Sequence, residues 1–229
     1  MFWNKKEKHK ITFNNRRQKL IDLLPPTFGM KNTPAWWTIK SNTKPHITSC
    51  PGIVELYKRA ITIPLWIDYE FELCDNNITN INVPGVHPNN IYEYVVGHHP
   101  DQYNNAYNDY HHVKLINPWL IEMSTVVPFL LIDATWNRDS FDDYTIPSGI
   151  LEFKYQHSCH INIFIKKNKE YKKIKMSAGS KFVQLIPLED KNIEIEYKKI
   201  DQEQFFDLMP LVITDQHNYN KIRKIAEGN

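Results

Sequence analysis

Between positions 61 and 73 every odd-numbered residue is apolar: Ile61, Ile63, Leu65, Ile67, Tyr69, Phe71 and Leu73. The even positions include Asp68, Glu70 and Glu72. Seven apolar residues at period two do not fit a helix, whose faces recur about every 3.6 residues, so the pattern predicts a strand with one buried face. Pro64 marks an edge or a bulge near its start. A register slip of one residue would bury three carboxylates. Ile67→Asp is therefore expected to disrupt the fold, and Glu70→Lys to be nearly silent.

Shorter apolar runs predict further strands at 78–83, 91–96, 113–123, 126–133, 149–156, 161–165, 171–176, 182–188 and 193–200, most of them separated by turn-forming residues. Helical spacing is confined to four places. One is 16–24, stopped by Pro25 and Pro26; another is 49–60, where Ser49 can cap, Pro51 sits early, and Ile53, Leu56, Tyr57 and Ala60 share a face. The other two are 202–209 and a weaker segment from Asp215, with Tyr219, Ile222 and Ala226 on one side. Many short strands with regular turns predict a mainly β protein, an antiparallel β-sandwich or jelly-roll-like domain with short helices near both ends. Its expected parts are an N-terminal helix and proline-rich connector at 1–48, a β core at 49–200 and a helical segment at 201–229.

Composition narrows the function classes. The chain has 229 residues, 41% hydrophobic and 24% charged, which is globular rather than disordered. A net charge of +2 makes no broad basic field, so nucleic acid is not expected as a partner, although a local patch stays open. The basic residues are 23 Lys and only 5 Arg, while Asn (22) and Ile (27) are also abundant. AT-rich coding enriches these three together, which lowers the weight of any Lys or Asn cluster. Cys50, Cys74 and Cys159 are far apart, with no CxxC pair, which argues against a disulfide framework or a cysteine zinc site and fits a reducing compartment. The opening MFWNKKEKHK is not followed by an apolar stretch, and no run reaches the roughly 20 residues of a membrane span. The expected location is the cytoplasm of a host cell or a particle assembled there, with no membrane partner; homo-oligomerisation is left open.

Ten histidines are the first place to look for chemistry. His98, His99 and Asp101 fall in GHHPDQ, His111 and His112 in DYHHVK, and His157 and His160 in QHSCH. The alternative to a binding module is a cupin-like metal-dependent enzyme. In its sheet, two or three of these histidines with a carboxylate could hold a divalent metal (Fe, Mn, Zn or Ni) and leave positions open for substrate. Strand alternation opposes this, because neighbours and positions three apart point to opposite faces. The simpler expectation is strand-end histidines and no resident cofactor. Neither a GxSxG nucleophile elbow nor a glycine-rich phosphate loop occurs.

Aromatic residues suggest binding instead. Trp36 and Trp37 lie in the connector, and TWNRDSFDDY at 135–144 combines Trp136, Arg138, Asp139, Phe141 and Asp142. Its spacing fits neither strand nor helix, so the stretch is expected to be an exposed loop whose rings and charges meet a sugar, a base or a protein partner. The alternative is that these tryptophans only anchor loops onto the core.

The segments CPGIVELYKRAITIPLWID, INPW, TVVPFLLIDATWNRDSF, IPSGILEF and SAGSKFVQLIPLED, spread over 30–190, resemble functionally unassigned proteins of contractile-tailed bacteriophages, particularly those of marine bacteria, and related bacterial proteins. The resemblance implies a phage-type β-rich binding or structural protein acting in the infected cell or the particle; it carries over no catalytic residue. The final hairpin is also similar in outline to trimeric dUTPases through Gly149, Gly179, Gln184 and Leu185. The acid and tyrosine expected beside the first glycine are absent, so no nucleotide site is carried over.

Overall fold

The alternating stretch at 61–73 folds as two strands on two sheets. A computed structural model describes residues 8–39, 46–103, 106–141, 143–208 and Lys224. In chain order these form β1 (Lys8–Asn15), α1 (Gln18–Leu23), β2 (Thr27–Phe28), α2 (Pro51–Arg59), β3 (Ile61–Pro64), β4 (Tyr69–Cys74) and β5 (Asn77–Asn82). There follow β6 (Val95–Gly97), β7 (Tyr110–Leu115), β8 (Leu120–Met123), β9 (Pro128–Asp133), β10 (Gly149–Glu152) and β11 (Ile161–Lys166). The last are β12 (Lys172–Met176), β13 (Lys181–Pro187), β14 (Asn192–Lys199) and α3 (Gln202–Leu208), with short 3-10 turns between elements. The protein is mainly β, as the alternation predicts. No described helix is long and apolar enough to cross a membrane.

Four sheets run in the orders β14-β1-β8, β10-β9-β13-β3-β2, β11-β7-β6 and β12-β4-β5. Every pairing is antiparallel except β1 with β14. The chain turns from the second sheet to the fourth at Leu65 to Asp68, where a turn from the β12–β13 connection clamps it. Leu65 N donates to Ser180 O (2.9 Å), Gly179 N to Leu65 O (2.8 Å) and Ala178 N to the Asp68 carboxylate (2.7 Å). Gly179 sits at φ +84°, a conformation that costs glycine least.

Ile61, Ile63, Leu65, Tyr69, Phe71 and Leu73 are all fully buried, but burial alternates only in β4. In β3 both faces are buried, with Thr62 fully covered, so the expected single buried face holds for β4 alone. Ile67, at the bend itself, is only partly buried and packs on the core edge, so Ile67→Asp is milder than the same change at Phe71. Glu70 also departs from expectation. It lies opposite Lys175 and bonds Lys173 (3.0 Å), Lys175 (3.4 Å) and the Asn82 amide (3.1 Å). A lysine there would face two others, so Glu70→Lys is not silent.

The hydrogen bond from Lys173, then that from Asn82, pulls the Glu70 carboxyl from its ordinary 4.5 down to about 2. A depressed carboxyl contributes stability that is complete above the unfolded value and lost as pH falls toward the folded one. In Glu70→Gln, the decline of Tm between about pH 4.5 and 2 should be shallower than in the parent.

Three predicted strands are shorter than the sequence suggests. The run at 113–123 divides into β7 and β8 because Pro118 lacks a donor and the Asn117 side chain accepts from Trp119 N (3.1 Å), closing a turn. At 91–96, a 3-10 turn over Pro88–Glu93, opened by the His87 ring accepting from Asn89 N, precedes the short β6. The 149–156 run keeps strand only at Gly149–Glu152. The predicted helices at 16–24, 49–60 and 202–209 form as α1, α2 and α3. The segment from Asp215 lies outside the described residues except for Lys224.

β1 adds a strand where none was predicted. It is the middle strand of its sheet, with Ile11 and Phe13 fully buried.

Candidate functional site

Where β1 ends, Asn15 organises the chain. Its side chain accepts from Arg17 N (2.8 Å) and donates to Pro118 O (2.9 Å), tying the start of α1 to the β7–β8 turn. Arg16 and Arg17 are thereby held at the mouth of a cleft of about 550 Å³. The Arg16 guanidinium lies 4.2 Å over the Phe205 ring of α3 and bonds the Gln202 side chain. Arg17 donates to the Tyr94 hydroxyl (3.1 Å). The opposite wall is Val96 and Lys114, partners across β6 and β7, and His160 stands at the entry to β11. Leu20, Trp66, Ile116, Pro118, Leu120 and Phe206 make most of the remaining lining apolar.

Charge in this cleft is one-sided: among the described residues Arg16, Arg17 and Lys114 face one carboxylate, that of Glu93. Among the described residues Lys114 makes no ion pair. Burial, then the Lys114 charge, brings His160 down to about 4, so its imidazole is neutral at pH 7. Asn117, only 3% exposed, lies in the wall with its Nδ2 unpartnered among the described residues, as is Nδ1 of His160. Buried polar atoms without partners cost about 1–3 kcal/mol each, so the polar end of the cleft is short of hydrogen-bond partners.

The histidines singled out in the sequence are divided among several places. His98 and His112 stack at 4.6 Å, with His98 Nδ1 2.5 Å from the Gln102 amide oxygen and His112 4.5 Å from the Phe164 ring. His111 points to the other face of β7; burial lowers its basicity, and burial, followed by His98 and Lys114, lowers His112 to about 4. His99 and Asp101 form an exposed pair at 3.2 Å. His157 Nδ1 donates to Ile121 O (3.0 Å), and His160 belongs to the cleft. Among the described residues no three His, Cys, Asp or Glu side chains gather where they could hold a metal ion.

The aromatic loop is partly as expected. Trp136 is 41% and Phe141 62% exposed, and Asp139 is exposed. Trp136 also meets Trp36 at 6.0 Å, and its carbonyl accepts from the Trp36 indole (3.1 Å). Arg138 differs: it turns inward, bonding Asp133 (2.6 Å) and the Tyr144 carbonyl (2.8 Å), with its guanidinium 3.9 Å over the Tyr144 ring. Asp142 lies outside the described residues.

Sequence reasoning missed Arg16, Arg17, Lys114 and Asn117. The available signal was Arg16–Arg17, two of only five arginines, placed together just before a helix.

No protein-family model, curated protein or solved structure matches this chain. Fold and site define a mainly β protein with a cationic, apolar-walled cleft.

Proposed function

We propose that this protein is a non-catalytic binding module of the phage type its sequence resembles, acting in the infected cell or the particle. Its ligand is an amphiphilic anion, with an apolar or aromatic body and one carboxylate or phosphate. The observation that carries this reading is the cleft's imbalance of three cations against one carboxylate on largely apolar walls. Its volume suits a small organic ligand, since such pockets span about 300–1,000 Å³. Apolar walls would supply most of the affinity, and charge-assisted hydrogen bonds from Arg16, Arg17 and Lys114 would fix orientation.

Calorimetric titration with 2-naphthoate and octyl phosphate, against 2-naphthol and octanol, tests the reading. The anions should bind at least about tenfold more tightly than the alcohols, a difference of about 1.4 kcal/mol. Lys114→Met keeps the aliphatic stem and removes one of the three charges, and it should weaken that preference with little change in Tm. Equal binding of anions and alcohols, or an unchanged preference in Lys114→Met, would overturn it.

A further inference from the structure

We propose that the outward face of the β11–β7–β6 sheet is a binding platform for single-stranded nucleic acid. Alternation along β7 places Tyr110, His112 and Lys114 on one face, while Val113 and Leu115 are buried on the other. Register fixes their neighbours: Phe164 pairs with His112 and Lys166 with Tyr110. The backbone of His98 continues the ladder by donating to His112 O (3.0 Å).

This arrangement builds a continuous run of rings. His98 to His112 is 4.6 Å, His112 to Phe164 is 4.5 Å, Phe164 to Tyr107 is 5.2 Å and Phe164 to Tyr110 is 6.2 Å. At its outer end Tyr107 is 62% and Tyr110 38% exposed. Two clefts, of about 500 and 360 Å³, both have Tyr110, Phe164 and Lys167 in their walls, so the outer part of the ring run borders an open trough. Lys166 and Lys167 stand on its rim, and among the described residues neither makes an ion pair. Across the trough Lys172 contacts Asp143 at 3.1 Å.

Aromatic faces in a groove with lysines at its edge are the two components by which proteins hold an unpaired strand: bases stack on the rings and phosphates follow the cations. A duplex hides its base faces, and among the described residues this surface offers no helix or ribbon to enter a groove. Burial keeps the His112 ring neutral at pH 7, so the middle of the ring run carries no imidazolium charge. The overall charge of +2 does not oppose the assignment, because the field needed is local. Stacking and phosphate contacts do not involve the 2′-hydroxyl, so DNA and RNA strands should bind alike.

Fluorescence anisotropy with labelled oligothymidine and oligouridine of about 15 nucleotides, beside a duplex of equal length and heparin, tests this proposal. Both single strands should bind at about 50 mM salt, at least about tenfold more tightly than the duplex or heparin. Replacing Tyr107 and Tyr110 together by Ala should weaken strand binding at least about tenfold, with Tm and salt dependence unchanged, because stacking releases no counterions. Lys166→Gln with Lys167→Gln should lower the slope of log affinity against log salt by about 1.4, at about 0.7 for each phosphate contact. The proposal is overturned if neither strand binds at about 100 μM protein, a typical nonspecific range. Binding of duplex or heparin as tight as that of the strands, or an affinity unmoved by loss of both tyrosines, overturns it equally.

Discussion

Phe13→Ala should lower the unfolding free energy by about 3–5 kcal/mol, a large share of the roughly 5–15 kcal/mol that stabilises a typical domain. Phe13 is fully buried on the middle strand of its sheet. Its ring meets Trp119 edge-on at 6.1 Å and Tyr197 at 6.5 Å. Those neighbours come from the β7–β8 turn and from β14, so neither can close over the gap without moving its own backbone. Phe13→Leu, which keeps most of the volume, should cost about 1.5 kcal/mol or less. Urea denaturation measures both. A Phe13→Ala midpoint equal to that of Lys8→Ala, an exposed change on the same strand, would show that β1 is not part of the core.

Arg138→Ala should cost about 3–5 kcal/mol, the range found when one partner of a buried ion pair is removed. The Arg138 and Asp133 side chains are only 8% and 13% exposed. Burial already pushes the Asp133 carboxyl up, and Arg138 is what opposes that rise. The sign of the pH dependence follows. A carboxyl whose folded value lies above its unfolded value destabilises the folded state when ionised, and this cost is relieved as pH falls through the folded value. Without Arg138 the cost is larger, so the gap between parent and variant should narrow as pH falls from 7 through the raised folded value of Asp133. A gap that stays constant over that range would mean that the lost packing on Tyr144, not the uncompensated carboxylate, sets the cost.

The sequence carried the local rules of this fold better than its long-range ones. Alternation at 61–73 correctly placed the core side of β4, where buried and half-buried positions alternate. In contrast, β3, which lies between two other strands in its sheet, is buried on both faces, Thr62 included. Alternation did not reveal the bend, which depends on Gly179 and Ser180, more than a hundred positions away. Pro118 was a visible break inside 113–123, yet the apolar residues on either side of it outweighed that signal. β1 was obscured because Ile11 and Phe13 stand among Lys8, His9 and Lys10, and its burial comes from two partners remote in sequence.

The candidate site was less legible for the same reason. Arg16, Arg17, Lys114 and His160 converge only after two sheets, built from strands remote in sequence, are assembled. Arg138 looked like an exposed cation beside three acids of its own loop, Asp139, Asp142 and Asp143. Its actual partner is Asp133, five residues earlier at the end of a strand that reads as wholly apolar.

The parallel pairing of β1 with β14 also constrains the order of events on the ribosome. Lys8 is in register with Asn192, so β1 waits for about 184 further residues before its partner exists. At roughly 5–20 residues per second that interval is about 10–40 s. Antiparallel contact with β8 becomes available earlier, once Met123 has emerged, and the two-stranded pair must hold an open edge until β14 closes it. A nascent chain stalled between these points therefore presents a strand edge bearing the lysines of β1, Lys8 and Lys10. In the finished sheet those lysines meet Glu194 at 3.5 Å and Glu196 at 2.7 Å. The same charges that complete the native pair thus discourage the exposed edge from joining a second nascent chain.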